Sequence, residues 1–156
     1  MPTNPHRIDD RLSLTIPGDW EIWEPSDDVL FVAAAPEIGR DELQPHFFVE
    51  RDVAKHDSSQ SFMVGNVVYL QEHQTGYVEH GIEQLEVNGH TIASVAYDAP
   101  AWDWVFRNKQ YFLVVDGLEY LITCKMLPEQ AARWSQEFDR IVQSIQIADS
   151  NERRAR

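Results

Sequence analysis

Leu12, Leu14 and Ile16 alternate with Ser13 and Thr15 near the start of the chain, the two-residue period of a half-buried strand. Pro17-Gly18-Asp19 ends it, and the polar, twice-proline residues 1–9 before it read as a loose lead-in. Trp20-Glu21-Ile22-Trp23 and Val29-Leu30-Phe31-Val32-Ala33 predict two more strands, separated by the turn-forming Pro25-Ser26-Asp27-Asp28, so the opening is a meander. A polar loop around Gly39-Arg40-Asp41-Glu42 leads to a fourth strand, His46-Phe47-Phe48-Val49-Glu50-Arg51, with apolar residues pointing both ways.

The period then changes. Asp57 followed by Gln60 fits a capping box, and Phe62, Met63, Val67 and Leu70 recur at helical spacing, which predicts a helix near 58–73. Residues 77–87 and 91–97 flank Asn88-Gly89, a strong hairpin signal because both turn positions require φ > 0. Asp116-Gly117 joins 110–115 to 118–124 in the same way. Pro128 and Glu129 suit the first turn of a second helix to about 146, with Ala131, Trp134, Phe138, Ile141, Val142 and Ile145 on one stripe. The run from Tyr111 to Val115 is apolar on both faces and needs a cover on each side, for which the two helices are available. The predicted fold class is α+β, an α/β/α sandwich around a mainly antiparallel sheet of about seven strands. It forms a single domain over residues 1–150, with a solvated basic tail over 151–156.

Composition adds little to that outline. At 156 residues, 43% hydrophobic and 25% charged, the chain can bury a core without disulfides or metal. The formal net charge of -13 changes the picture more, since such a field repels phosphate backbones and anionic bilayers, so neither nucleic acid nor a membrane is an expected partner. Cys124 is the one cysteine and lies in the apolar run Leu121-Ile122-Thr123-Cys124, where a buried structural thiol is expected rather than a nucleophile. The N-terminal residues lack the apolar core of a signal peptide and no stretch reaches the length of a membrane span, so the expected location is cytoplasmic.

Candidate chemistry is sparse. The six histidines His6, His46, His56, His73, His80 and His90 are scattered, with only His73 and His80 placed to approach one another around the end of the first helix. Glu21, Glu24, Asp27 and Asp28 are the candidates for a carboxylate pair, and a solvated acidic turn is their plainer reading. No HExxH, GxSxG, CxxC or glycine-rich phosphate loop occurs, so no catalytic residue, metal ligand or cofactor is expected. Aromatic residues, 11% of the chain, concentrate in Trp102-Asp103-Trp104-Val105-Phe106, which would place Trp102, Trp104 and Phe106 on one side of an extended segment. Such a row is either a core ladder under a helix or a partly exposed strip that receives a partner.

The order of elements, with Leu14-Thr15-Ile16-Pro17-Gly18-Asp19-Trp20, Pro45-His46-Phe47-Phe48-Val49-Glu50-Arg51, Val87-Asn88-Gly89-His90 and Tyr111-Phe112-Leu113-Val114-Val115-Asp116-Gly117 leading into Tyr120-Leu121-Ile122-Thr123-Cys124, resembles the PsbP-like superfamily. That group includes PsbP, the Ran-binding Mog proteins, DcrB, the LpqN-type lipoproteins and the Eag adaptors of type VI secretion. The lipoprotein members carry a leader and a lipid-anchored cysteine, neither of which is seen here, so the resemblance implies the cytoplasmic members and their binding or chaperone-like roles. The expectation is a non-enzymatic binding or adaptor domain that recognises a protein or peptide partner, or a second copy of itself, through a sheet face at Trp102, Trp104 and Phe106. An enzyme with a dispersed active site is the alternative. Thermal melts with and without a chelator are expected to coincide, and a drop of several degrees on chelation would reveal a structural metal.

Overall fold

The computed structural model describes residues 3–36 and 43–148, so the polar loop around Gly39 and the basic tail at 151–156 lie outside the described residues. In chain order the elements are β1 (Thr3–Arg7), β2 (Leu12–Pro17), β3 (Glu21–Trp23), β4 (Phe31–Ala34), β5 (His46–Val53), α1 (Ser59–His73), β6 (Val78–Val87), β7 (His90–Ala101), β8 (Trp104–Val115) and β9 (Leu118–Met126). A 3-10 turn at Pro128–Gln130, α2 (Ala131–Gln143) and β10 (Gln146–Ile147) follow. Seven strands form one sheet in the order β3-β4-β5-β9-β8-β7-β6, and β1, β2 and β10 form a second, smaller one. Every pairing in both sheets is antiparallel.

Two of the hairpins follow from their turn residues. Asn88 and Gly89 adopt φ of 49° and 82°, and Asp116 and Gly117 adopt 51° and 79°, left-handed values that Gly and Asn tolerate best. The chain before β2 is a strand rather than a loose lead-in, because Thr3 to Arg7 pair with Pro17 to Ser13 and so cover an edge of β2. The cap of α1 is Ser58 with Ser61, not Asp57 with Gln60. Ser58 Oγ accepts the Ser61 N–H at 3.1 Å and Ser61 Oγ accepts the Ser58 N–H at 3.2 Å, which starts the helix one residue later. The second helix stops at Gln143, where the Ser144 N–H closes on the carbonyls of Arg140 and Ile141 at 3.1 Å; Ile145, buried, belongs to the connection into β10.

The large sheet is apolar on both faces. On one face, Phe47, Val49, Tyr111, Leu113, Tyr120 and Ile122 pack with the inward stripe of α2 and with Leu12, Leu14 and Ile16 of the small sheet. Trp20 lies edge-on to Trp134 and Phe138 with ring centroids 5.7 and 5.8 Å apart, so one aromatic cluster joins the early turn to α2. On the other face, Ala93, Val95, Tyr97 and Phe112 meet Met63 and Val67 of α1, and Phe62 stands edge-on to Phe112 at 5.0 Å.

Two carboxylates tie these layers together. Asp9 accepts the backbone N–H groups of Arg11 and Leu12 at 2.8 and 2.7 Å, the Tyr120 hydroxyl at 2.7 Å and Arg51 at 2.7 Å, which fixes the small sheet against β9 and β5. Asp139 of α2 accepts Lys109 Nζ at 2.8 Å and the Tyr111 hydroxyl, both from β8. Burial by itself would raise the Asp9 carboxyl. The bonds from Tyr120, Leu12, Arg11 and Arg51 outweigh it and hold the group below the ordinary carboxylate value.

Two outcomes are expected. Phe138→Ala, at a fully buried position, should cost about 3–5 kcal/mol by urea denaturation, and a variant as stable as the parent would remove α2 from the core. A depressed carboxyl contributes stability that is present above its unfolded value of about 4 and is lost as pH falls through the lower folded value. Asp9→Asn should therefore lower stability at pH 7 and flatten its decline between pH 5 and pH 2, and an unchanged acid limb would refute the role given to Asp9.

Candidate functional site

The 15 residues of α1 span about 22 Å, whereas the 12 residues of β8 span about 40 Å, so the helix cannot cover the whole strand. It packs over the Phe112 end, where Asn66 Nδ2 donates to Gln110 Oε1 at 2.8 Å. Beyond Gln110 the same face continues through Asn108, Phe106 and Trp104 on β8. Lys125 stands opposite Asn108 on one side and opposite His46 of β5 on the other. At this end of the sheet lies a cavity of about 450 Å³ whose walls include Leu43, Phe48, Trp102, Phe106, Met126 and Leu127, with His46, Lys125, Gln44 and Gln130 as its polar groups.

Trp102, Trp104 and Phe106 do not form one row. Ala101 pairs with Trp104, so Trp102 and Asp103 are the two-residue turn of the β7–β8 hairpin, and Trp102 takes φ of 54°. A left-handed φ for a bulky residue interrupts the extended segment that alternation suggests, which leaves only Trp104 and Phe106 in the strand. Trp102 is 92% exposed, Trp104 is half-buried and Phe106 is 8% exposed. Trp102 and Phe106 line the cavity; Trp104 is not among its lining residues. Leu43, Phe48 and Lys125 were not singled out from sequence, and His46 only as one of six scattered histidines, although Lys125 shares the two-residue parity of Leu121 and Thr123 and so is placed on the same face.

Lys125 is the electrostatic centre of the cavity. Its Nζ donates to Asn108 Oδ1 at 2.7 Å and sits 5.8 Å from the centre of the Phe106 ring. Among the described residues no carboxylate lies within ion-pair distance of it, and burial pushes its pKa down. His46 is likewise lowered, first by burial and further by the Lys125 charge, against a hydrogen bond from its Nδ1 to the Gln44 carbonyl at 3.0 Å. Its ring packs against Trp23 at 5.6 Å.

The other polar groups serve different ends. His73 packs on Tyr69, whereas His80 pairs with Asp98 at 2.9 Å beside Arg107. Asp27 and Asp28 face Glu50, Asp52 and Glu119 across an open acidic cleft of about 600 Å³, where burial and then the Asp28 charge raise Glu50. Glu21 accepts the Trp23 indole N–H at 3.1 Å, and Glu24 is exposed. Burial raises the Cys124 thiol well above its ordinary value, so it is not a poised thiolate. Among the described residues no cluster of three or more His, Cys, Asp or Glu could hold a metal ion, and no helix is long and apolar enough to cross a membrane.

No family model and no curated protein matches this sequence. Solved structures do match it. LpqN of Mycobacterium tuberculosis, described as involved in cell envelope biogenesis, is 12% identical with a TM-score of 0.69, covering 95% of this chain and 91% of its own. A Pseudomonas aeruginosa protein of unknown function is 15% identical with a TM-score of 0.65, covering 91% and 94%. Cyanobacterial PsbP from Synechocystis is 14% identical with a TM-score of 0.60, covering 88% and 86%. The chain has the PsbP-like fold, and at such identities the likeness is one of fold.

A left-handed φ costs a residue other than glycine about 1–2 kcal/mol, while glycine costs about 0.5–1 kcal/mol in lost chain entropy. Trp102→Gly should therefore leave stability unchanged or raise it by up to about 1.5 kcal/mol, measured by urea denaturation. A clear loss would mean that the exposed ring holds the fold together.

Proposed function

We propose that this chain is a non-catalytic binding domain, of adaptor or chaperone type, that receives an apolar segment of a partner protein or peptide in the cavity beneath the β7–β8 turn. The observation that carries this reading is Trp102, which holds a large ring 92% exposed, in a conformation that disfavours it, at the rim of an apolar cavity. A ring so exposed adds little to packing within the domain, and a partner would cover it. Covering the ring would contribute about 1.5–3 kcal/mol, and Phe48 and Phe106 supply further apolar surface below it. The cavity volume falls within the range of about 300–1,000 Å³ typical of sites that enclose most of a small ligand or side-chain anchor. The surplus of acidic groups elsewhere keeps the uncomplexed surface from self-association.

The test is selection of binders from a random peptide display library. Selected sequences should share apolar anchors and change the Trp fluorescence of the parent. Trp102→Ala should weaken them at least tenfold with no change in melting temperature. A selection that returns no binders, or binders indifferent to Trp102→Ala, overturns this reading.

A further inference from the structure

Resting on the reading of this cavity as a peptide site, we propose that it recognises the C-terminal end of a partner chain, with the terminal carboxylate on Lys125 Nζ and the last side chain, an apolar one, between Phe48, Phe106 and Trp102. The chain carries 26 acidic residues against 13 basic ones, so an unpaired cation is the exception on this molecule. Among the described residues Lys125 has no carboxylate within ion-pair distance, and unlike Arg7, whose guanidinium also has none, it opens into the cavity. One of the three donors of its ammonium goes to Asn108 Oδ1, a neutral acceptor, at 2.7 Å. The Phe106 ring meets the cation from another side, and neither contact supplies a negative charge. A half-buried ammonium in apolar surroundings is stabilised most by a carboxylate brought to it, because the interaction is stronger there than in water.

Gln44 points to a peptide rather than to any acid with an apolar body. Its Nε2 donates to the Ala35 carbonyl at 2.8 Å, which leaves Oε1 as an acceptor with no partner among the described residues, and Gln44 is one of the residues that line the same cavity. The last residue of a peptide presents an amide N–H, a carboxylate and a side chain from one Cα. Those three groups match the amide acceptor, the ammonium and the apolar walls, whereas a fatty acid offers no donor for Gln44.

The experiment titrates the full chain with acetyl-Ala-Ala-Leu-Leu as the free acid, with the same peptide as its C-terminal amide, and with decanoate, by calorimetry. The free acid should bind at least tenfold more tightly than the amide. Lys125→Met should abolish that difference and Lys125→Arg should keep most of it. Equal binding of acid and amide overturns the carboxylate role while leaving the apolar site in place, since binders from display libraries would still depend on Trp102. Lys125-dependent binding of decanoate without binding of the peptides overturns the assignment to a chain end, as does failure of all three to bind. Should Lys125→Met not fold, the acid-against-amide ratio on the parent decides by itself.

Discussion

The middle strands of the large sheet, β8 and β9, are apolar on both faces, and a sheet of that kind is stable only when both faces are removed from water. The two covers are unequal. One face receives α2 together with an entire small sheet, whose β2 sends Leu12, Leu14 and Ile16 into the core. The other receives α1 alone, too short to reach the Trp104 end of β8. The cavity at that end is therefore a consequence of how the sheet is covered, and its residues carry side chains that a fully covered face would not require.

Polar groups in the layers are arranged to fix geometry. Asp9 gathers donors from its own loop, from β9 and from β5, and Asp139 gathers two from β8. Each carboxylate is in effect shared between layers, so the small sheet and α2 cannot slide over the large sheet without leaving part-buried acceptors unsatisfied. The ties on the α1 face include Glu119 of β9, which accepts the Lys55 N–H at 2.7 Å, and the neutral pair Asn66 and Gln110, and beyond that pair Asn108 holds Lys125. The α1 face thus runs from a neutral tie under the helix to an uncompensated cation where the helix ends.

Most of the fold was legible because its signals are local. Alternation in 12–16, the Asn88-Gly89 and Asp116-Gly117 turns and the stripe of α2 each depend on residues within a few positions of one another. What was not legible depends on partners distant in sequence. β1 is polar and carries a proline, and it is a strand because β2 offers an edge for it. The β7–β8 turn was missed because Trp102 is a poor residue for the left-handed turn position that it holds, forced into place by register along the two long strands that the turn joins. The site was half legible for the same reason. Its aromatics stand close together in sequence, whereas Lys125, His46, Phe48 and Gln44 join them only through the neighbouring of β5, β9 and β8.

Folding selects for agreement between local preference and global structure, and departures from that agreement gather where something else is selected. Two departures meet at this cavity. Trp102 holds an unfavourable backbone angle and an exposed ring, and Lys125 holds a charge in apolar surroundings with a neutral partner. Either one taken alone is a tolerable irregularity of a domain this size. Their placement around one cavity, at the end of the sheet that α1 does not reach, gathers both costs where we propose that an apolar group carrying a negative charge is received.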